Sequence, residues 1–358
     1  MKIATVIGAR PQFIKASMVS REISKYDHIE EIIIHTGQHF DKKMSNIFFE
    51  EMEIPEPDYN LDIHSLSHGA MTGRQLEEIE KLLIKEVPDW VLVYGDTNST
   101  LAGSLAAAKL QIPLAHVEAG LRSFNRSMPE EVNRVLTDHI SDLLFTPTDA
   151  GFKNLRDEGI KQSKIEKVGD VMYDAALHFG QMSEKKSTIL DKYNLKSKNY
   201  ILSTIHRQEN TENPTRLKNI ISALSDAPFP VVMPLHPRTK KKLDENNIAL
   251  NGKILSIDPV GYIDMIMLEK NANKIATDSG GMQKEAFFFE IPCITIRDET
   301  EWVELVEMGV NKIVGASREQ IHDAFNISDI VFEKNAVFGT GNTSKQIVKK
   351  LEKYNYAN

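Results

Sequence analysis

Short runs of apolar residues alternate with longer stretches of helical periodicity along this chain. In the first half the apolar runs are Ile3–Ile7, Glu31–Thr36, Trp90–Tyr94, Leu114–Val117 and Asp142–Thr146. In the second half they are Tyr200–Thr204, Pro230–Pro234, Lys274–Thr277, Cys293–Ile296 and Lys312–Val314. Helical patterns follow several of these runs, as in Pro11–Ser24, Thr72–Glu86 and Ser99–Lys109. Short β-rich runs that alternate with helices are typical of parallel sheets covered by helices on both faces.

The alternation occurs twice, and a polar segment rich in Lys, Ser and Asp, Ser183–Asn199, lies between the halves. A chain of 358 residues is also long for a single hydrophobic core. We therefore predict an α/β protein with two doubly wound domains, residues 1–171 and 172–341. The final segment, 342–358, has an amphipathic helical pattern that can pack back on either domain, and we group it with the N-terminal one. Two such domains are expected to bind a ligand at the carboxyl ends of their sheets.

Composition excludes several classes of protein. The chain is 41% hydrophobic and 26% charged, as in globular proteins, and its net charge of −8 argues against a general nucleic-acid binder. The single cysteine, Cys293, lies in an apolar run and allows no disulfide framework, which fits a reducing compartment. No signal-peptide pattern and no apolar stretch of membrane-spanning length is present. We expect a cytoplasmic protein without membrane or nucleic-acid partners.

The segment 274–285 combines a strand end, a helix cap and two glycines. Asp278 and Ser279 stand where a helix N-cap belongs, and Gly280 follows directly. Helix N-termini offer unpaired N–H groups and partial positive charge, so this segment suits a diphosphate. Glu285, further along the same helix, can accept hydrogen bonds from a ribose. The alternative is an ordinary capped helix of an α/β domain.

The turn after the first strand, Gly8–Lys15, is suited to bind an anion. Gly8 permits a tight turn, Pro11 fits the first helical turn, and Arg10 and Lys15 can reach an anion above the sheet. The three spaced glycines of a dinucleotide fingerprint are missing from this turn, so we expect no NAD site.

Acidic residues follow the next predicted strands. Asp96 and Glu118 stand at two strand ends, and Glu130 begins a helix that also carries Arg134. One acidic residue at a strand end is usually an N-cap, but three such turns around one crevice favour acid–base chemistry, because clustered carboxylates raise one another's proton affinity. The acidic cluster lacks the spacings of metal ligands, so we expect no metal.

Two turns of the second half add histidines and arginines. His206 and Arg207 directly follow a strand and can face a phosphate or a sugar hydroxyl. His236 and Arg238 stand in a similar turn, where either ligand contact or a solvent-facing role is open.

Taken together, six segments carry a family resemblance. They are Gly8–Lys15, Tyr94–Thr97, His116–Arg122, Pro129–Arg134, His206–Asn210 and Thr277–Glu285. In this order and spacing, and over nearly the whole chain, the sequence resembles the non-hydrolysing UDP-N-acetylglucosamine 2-epimerases.

The resemblance implies a GT-B type fold of two Rossmann-like domains with a UDP-sugar bound in the cleft between them, usually in a homodimer. It implies inversion at C2 by elimination of UDP to a 2-acetamidoglucal and re-addition, without a cofactor or metal. The catalytic residues that it implies are Asp96, Glu118, Glu130 and His206. The substrate-binding residues are Arg10, Lys15, Arg134, Arg207, His236, Ser279, Gly280 and Glu285. A GT-B glycosyltransferase, a hydrolysing 2-epimerase and a catalytically silent nucleotide-sugar sensor are the alternatives.

Two segments depart from the UDP-N-acetylglucosamine enzymes. The segment His35–Lys43 differs from the one that helps to bind an activating nucleotide sugar in some members, so we do not infer that regulation. The loop Ser123–Met128 is shorter than theirs. Both features resemble the branch that epimerises UDP-2,3-diacetamido-2,3-dideoxy-glucuronate for surface polysaccharides, and Arg126 then offers a charge for the C6 carboxylate. The alternatives are UDP-N-acetylglucosamine as substrate and an Arg126 that points to solvent.

Overall fold

The structure is a computed structural model that describes residues 1–38, 55–327, 330, 332 and 336–354. The contacts within it divide the chain into two compact units. Unit 1 comprises Met1–Ala175 with Asn335–Asn358, and unit 2 comprises Ala176–Lys334. Part of the divergent segment His35–Lys43, from residue 39 onward, lies outside the described residues.

Unit 1 is built on a seven-stranded sheet with the order β3-β2-β1-β4-β5-β6-β7, in which all neighbours pair in parallel. Its strands are β1 (Lys2–Ile7), β2 (Glu30–His35), β3 (Tyr59–Asn60), β4 (Trp90–Tyr94), β5 (Leu114–Val117), β6 (Leu143–Thr146) and β7 (Ile165–Lys167). Its helices are α1 (Arg10–Ile23), α2 (His68–Glu86), α3 (Asn98–Lys109), α4 (Pro129–Ile140), α5 (Asp149–Asp157) and the start of α6 (Val171–Lys186), with 3-10 turns at Gln162–Lys164 and Ala336–Phe338.

Unit 2 is built on a six-stranded parallel sheet with the order β10-β9-β8-β11-β12-β13. Its strands are β8 (Ile201–Thr204), β9 (Val231–Pro234), β10 (Ile254–Ile257), β11 (Lys274–Thr277), β12 (Cys293–Thr295) and β13 (Asn311–Ile313). Its further helices are α7 (Ile189–Lys192), α8 (Gln208–Thr211), α9 (Pro214–Ser225), α10 (Pro237–Glu245), α11 (Tyr262–Asn271), α12 (Gly280–Phe288), α13 (Val303–Glu307) and α14 (Arg318–Phe325).

Both sheets confirm the predicted doubly wound α/β class. In each of them the strand order reverses at the first strand, so that β1 lies between β2 and β4, and β8 lies between β9 and β11. Ligands of open α/β sheets bind beyond the carboxyl ends of the strands at such a reversal. We therefore expect ligand-binding residues in four turns, those that follow β1, β4, β8 and β11.

The central strands of unit 1 are buried on both faces, which explains why they read as continuous apolar runs. Val6 and Val93 pack with Ala102 and Ala106 of α3 in one hydrophobic cluster. A Cβ at Gly103 would lie 3.2 Å from three atoms of the Val6 side chain. This glycine lets α3 pack closely on β1 and so fixes the helix that begins just after the β4 turn.

A last helix, Thr343–Lys353, returns to unit 1. The Asp174 carboxylate accepts hydrogen bonds from the backbone N–H groups of Thr343, at 3.1 Å, and Ser344, at 2.8 Å. This carboxylate caps the helix from outside, because the first N–H groups of a helix have no partner within it. Within the described ranges, every helix is too short or too polar to cross a membrane.

Candidate active site

A buried glutamine joins the turns after β1 and β4. Gln12 Oε1 accepts hydrogen bonds from the backbone N–H groups of Gly8, at 2.8 Å, and Ala9, at 3.0 Å. Its Nε2 donates to the carbonyl oxygen of Tyr94, at 2.9 Å, and to Thr100 Oγ1, at 3.0 Å. The two turns at the strand reversal are therefore held together by one side chain. The sequence motif contained Gln12 but gave no sign of this role.

The Lys15 side chain of α1 forms an ion pair with Glu118, which follows β5. Lys15 Nζ lies 2.5 Å from Glu118 Oε1, and only 8% and 10% of the two side chains are exposed. A Cβ at Gly95, after β4, would lie 3.2 Å from Lys15 Nζ. The glycine thus leaves space for the pair. Arg10, the other cation predicted in this turn, is the half-buried first residue of α1.

A second ion pair involves Asp96, which follows β4. Arg134 on α4 donates hydrogen bonds to the carboxylates of Asp96 and Glu131, the latter at 2.7 Å. The Asn133 side chain donates to the carbonyl oxygen of Asp96, at 2.9 Å. Arg134 is buried, whereas 28% of the Asp96 side chain is exposed. The structure therefore brings Asp96 and Arg134 together and leaves the Asp96 carboxylate accessible.

Glu131 anchors the loop that precedes α4. Its carboxylate accepts hydrogen bonds from the backbone N–H groups of Ser123 and Phe124, both at 3.0 Å. Arg126, in the same loop, and Glu130, in the first turn of α4, have exposed side chains. The buried Glu131 holds the loop in place, while its neighbour Glu130 faces solvent. The family resemblance selected only Glu130, and the sequence did not reveal that the adjacent Glu131 is buried and holds the loop.

A buried polar network supports the turns that carry Asp96 and Glu118. His116 Nε2 lies 2.7 Å from the carbonyl oxygen of Gly95, and His116 Nδ1 lies 2.7 Å from Asp138 Oδ1. Asp138 Oδ2 accepts hydrogen bonds from the Gly120 N–H, at 3.1 Å, and from Arg122 Nη1, at 2.7 Å. Burial acts to raise the pKa of Asp138, but its bonds to His116 and Arg122 outweigh burial and lower that pKa below the ordinary value. Asp138 is therefore a buried carboxylate.

In unit 2, Asp278 organises the turn after β8. Its fully buried carboxylate accepts hydrogen bonds from the backbone N–H groups of His206, at 3.1 Å, and Arg207, at 3.0 Å. The Asn210 side chain donates to it as well, at 3.1 Å. His206 Nδ1 lies 3.2 Å from Asp278 Oδ1, and 46% of the histidine side chain is exposed. The buried Asp278 carboxylate thus orients the imidazole, which is half exposed at the point where the strand order of the second sheet reverses.

The start of α12 carries Ser279 and Gly280. The Ser279 hydroxyl caps the helix by accepting a hydrogen bond, at 3.4 Å, from a backbone N–H one turn on. A Cβ at Gly280 would lie 2.3 Å from Glu301 Oε1, and Glu301 in turn pairs with Arg297 at 2.8 Å. Burial acts to raise the pKa of Glu301, but the charges of Arg297 and Arg207 outweigh it and lower that pKa. Any side chain at position 280 would displace the Glu301 carboxylate, so this position requires glycine.

The remaining predicted residues lie further along unit 2. Glu285 is buried on α12 and accepts a hydrogen bond from the Tyr262 hydroxyl, at 2.8 Å, which orients its carboxylate. His236 is exposed and caps α10, where its ring accepts a hydrogen bond from the Arg238 N–H, at 3.2 Å. Among the described residues, no three His, Cys, Asp or Glu side chains are grouped as metal ligands would be.

Comparison with known proteins identifies what the chain is similar to. The family model described as UDP-N-acetylglucosamine 2-epimerase matches residues 21–352. A UDP-N-acetylglucosamine 2-epimerase homolog of Methanococcus maripaludis is 55% identical, and the match covers 98% of this chain and 99% of that protein. The UDP-2,3-diacetamido-2,3-dideoxy-D-glucuronate 2-epimerase of Pseudomonas aeruginosa is 52% identical over 99% of this chain and 100% of that protein.

A solved structure is similar over nearly the whole chain. The crystal structure of Methanocaldococcus jannaschii UDP-GlcNAc 2-epimerase in complex with UDP-GlcNAc and UDP superposes with a TM-score of 0.90 at 47% identity, and the match covers 98% of this chain and 99% of that one. These findings confirm the resemblance that the six motifs indicated and the predicted GT-B type α/β fold class.

Proposed function

Since this chain belongs to the UDP-N-acetylglucosamine 2-epimerase family, we propose that it is a non-hydrolysing isomerase that inverts C2 of a UDP-N-acetylhexosamine. The substrate we propose is UDP-2,3-diacetamido-2,3-dideoxy-glucuronate, which is converted into its manno epimer for a surface polysaccharide. The P. aeruginosa relative of that name supports this choice. UDP-N-acetylglucosamine, named for the M. jannaschii relative at 47% identity, is the alternative substrate.

The chemistry requires acid–base groups at C2 and cations at the leaving group. The C2 proton of an N-acetylhexosamine is not acidic, so its removal is coupled to the departure of UDP from C1. This elimination forms a C1–C2 double bond, and the intermediate is a 2-acetamidoglucal. Addition of UDP to C1 and of a proton to the opposite face of C2 then gives the epimer. Carboxylates that exchange protons on the two faces, and cations that stabilise the diphosphate, provide this catalysis.

One observation carries the proposal. Asp96 and Glu118 follow the paired strands β4 and β5, and the two carboxylates form ion pairs with different cations: Asp96 with Arg134, which also pairs with Glu131, and Glu118 with Lys15. Two carboxylates in different surroundings at one sheet edge are suited to different roles in proton transfer. We assign them to the acid–base set together with Glu130, whose exposed side chain is available to a bound sugar.

Unit 2 supplies the groups that we assign to the UDP portion. The N-terminus of α12 at Ser279 and Gly280 offers N–H groups to a diphosphate, and His206 and Arg207 add polar and cationic side chains. Glu285, oriented by its hydrogen bond from a tyrosine, is the assigned ribose ligand. Arg10, in unit 1, is a further residue that we assign to the diphosphate. We propose that His206, in unit 2, also takes part in catalysis.

The proposed substrate preference depends on the loop before α4. Glu131 fixes the backbone of Ser123 and Phe124, and the exposed Arg126 extends from this fixed loop. We propose that its guanidinium binds the C6 carboxylate of the uronate, since a guanidinium and a carboxylate pair in a bidentate way.

The test compares kcat/KM for the two nucleotides with the full chain. We expect the diacetamido uronate to be preferred by about 10²-fold, because the neutral sugar leaves the carboxylate-binding group without its ion pair. Arg126→Ala should remove most of this preference, and Arg126→Lys, which keeps the charge, is the matched control. Equal or better turnover of UDP-N-acetylglucosamine would refute the substrate. Release of free sugar, or transfer to an added acceptor, would refute the epimerase in favour of a hydrolysing enzyme or a glycosyltransferase.

We also propose that the enzyme is a cytoplasmic homodimer. The single cysteine, Cys293, is buried and forms no disulfide, which fits a reducing compartment, and the family resemblance supports a homodimer. Light scattering of the purified chain would measure the subunit number directly, and a monomer would contradict the dimer.

A further inference from the structure

His116 is a fully buried histidine whose two ring nitrogens both face hydrogen-bond acceptors. One nitrogen lies 2.7 Å from the carbonyl oxygen of Gly95, the residue that directly precedes Asp96, and the other lies 2.7 Å from the Asp138 carboxylate. Carbonyl and carboxylate oxygens are hydrogen-bond acceptors, so the imidazole ring bridges the Gly95 backbone and the Asp138 side chain.

Asp138 also supports the turn that carries Glu118. Its second oxygen accepts a hydrogen bond from the backbone N–H of Gly120, at 3.1 Å, two residues after Glu118. One buried carboxylate on α4 therefore reaches the Glu118 turn directly and reaches the Gly95 turn through the His116 ring.

The turn at Glu118 needs such support because its backbone is unusual. The φ angles are +63° at Gly95, +73° at Glu118 and +82° at Gly120, all in the left-handed region. For Glu118, which has a Cβ, this conformation is strained, and strained residues persist only where their surroundings hold them. Without the His116 bond, the carbonyl oxygen of Gly95 would lose a buried hydrogen bond, and the turn would relax to recover a partner.

We propose that His116 and Asp138 are positioning residues for C2 inversion, which fix the Asp96 and Glu118 carboxylates relative to each other through the backbone of the two turns. This inference rests on the proposed function. Both side chains are fully buried beneath the turns, so they act through the backbone and not by contact with the substrate. A displacement of about 1 Å at reacting groups can cost about 10²-fold in rate, so loss of this support should lower kcat.

A matched pair of variants separates the two ring nitrogens. His116→Gln places an amide N–H₂ at the position of Nε2 and can keep the bond to Gly95. His116→Asn places its amide at the position of Nδ1, keeps the bond to Asp138 and loses the bond to Gly95. We expect kcat to fall by about 10²-fold in His116→Asn and by less than about 10-fold in His116→Gln, with KM changed by less than about threefold in both.

Asp138→Asn and Glu158→Gln form the second comparison. Glu158 accepts two hydrogen bonds from Arg122, both at 2.7 Å, and so belongs to the same network without touching either turn. We expect Asp138→Asn to lower kcat by at least about 10-fold and Glu158→Gln to leave it unchanged. Only Asp138→Asn replaces a carboxylate that accepts a hydrogen bond from the backbone of a turn with a poorly matched amide. Thermal unfolding and calorimetric UDP binding on every variant measure the loss of fold directly.

The outcomes are distinguishable. Wild-type kcat in folded His116→Asn and Asp138→Asn, or equal losses in His116→Gln and His116→Asn, would overturn the positioning role. So would losses of kcat in all variants, Glu158→Gln included, that follow their losses of thermal stability. A wild-type enzyme that inverts neither nucleotide would instead refute the proposed function itself, before any variant is compared.

Discussion

Lys15 and Glu118 stand 103 residues apart in the sequence, yet the Lys15 ammonium lies 2.5 Å from the Glu118 carboxylate in a largely buried ion pair. The lysine projects from α1 and the glutamate from the turn after β5, and Gly95 lies beside them without a side chain that would intrude. Lys15 thus binds an anion of the protein itself. Its most direct effect on a reaction is to set the charge and position of the Glu118 carboxylate.

We therefore predict that Lys15→Met lowers kcat by at least about 10²-fold. It leaves a buried carboxylate without its cation, and breaking a buried pair from one side costs about 3–5 kcal/mol. The control is Lys25→Met, since Lys25 forms a pair with Glu22 at the same distance, 2.5 Å, but is 61% exposed. Steady-state kinetics on both variants decides the matter, and an equal effect of the two substitutions would contradict a special role for Lys15.

Adjacent glutamates on α4 should behave differently. Glu130→Gln should lower kcat by at least about 10²-fold, as expected for an acid–base group, without a change in thermal stability. Glu131→Gln should lower the melting temperature, because Glu131 is buried against Arg134 and holds the preceding loop. Kinetics and calorimetric melting are measured on both. A normal rate for Glu130→Gln would remove Glu130 from the catalytic set.

The two glycines of α12 form another contrast. Alanine at position 280 would force Glu301 away from its present place, whereas around Gly281 the nearest atom to an added Cβ, Ser279 Oγ, is 3.9 Å away. We predict that Gly280→Ala lowers the melting temperature and weakens UDP binding by about tenfold, the cost of one charge-assisted hydrogen bond. Gly281→Ala should be neutral or slightly stabilising, because alanine favours a helix over glycine. Equal effects in calorimetry would refute the assigned crowding at Gly280.

Stability should depend on pH through Glu31 in β2. Burial, opposed by a hydrogen bond from Thr5, raises the pKa of Glu31 from 4.5 to about 7. Between these two values the unfolded chain has lost the proton and the folded chain has kept it, so stability falls as the pH rises and levels off above about 7. The slope is at most about 1.4 kcal/mol per pH unit.

Glu31→Gln should therefore gain stability relative to the wild type across that window, and Glu30→Gln, at the exposed neighbouring position, should not. Denaturant unfolding at pH 4.5 and pH 7.5 measures both differences. A Glu31→Gln advantage that is the same at both pH values would contradict the raised pKa.

The sequence predicted the central strands because they are buried on both faces and read as apolar runs. It did not predict β3, β7 and β10, which are edge strands. These edges are short and partly polar: Tyr59–Asn60 has two residues, and Ile254–Ile257 exposes its middle positions. An edge strand faces solvent on one side and needs no continuous apolar run, so periodicity alone does not reveal it.

At the candidate site, the sequence located the turns but not their internal support. Post-strand turns can be recognised from local patterns, which is how Asp96 and His206 were selected. Gln12 and Asp138, in contrast, act on residues 82 and 22 positions away respectively, at Tyr94 and His116. Such partners become visible only when the sheet order is known, because the strand reversal brings distant turns side by side.

The central claim is that C2 loses its proton and regains one through protein groups while UDP leaves and returns. The most direct measurement is incubation of the full chain with the diacetamido uronate nucleotide in D₂O, followed by NMR of C2 in the product. We predict that the product is the manno epimer, still linked to UDP, with deuterium at C2, and that it forms without any added sugar acceptor. An epimer without deuterium at C2, or a substrate that is not epimerised at all, would contradict the account.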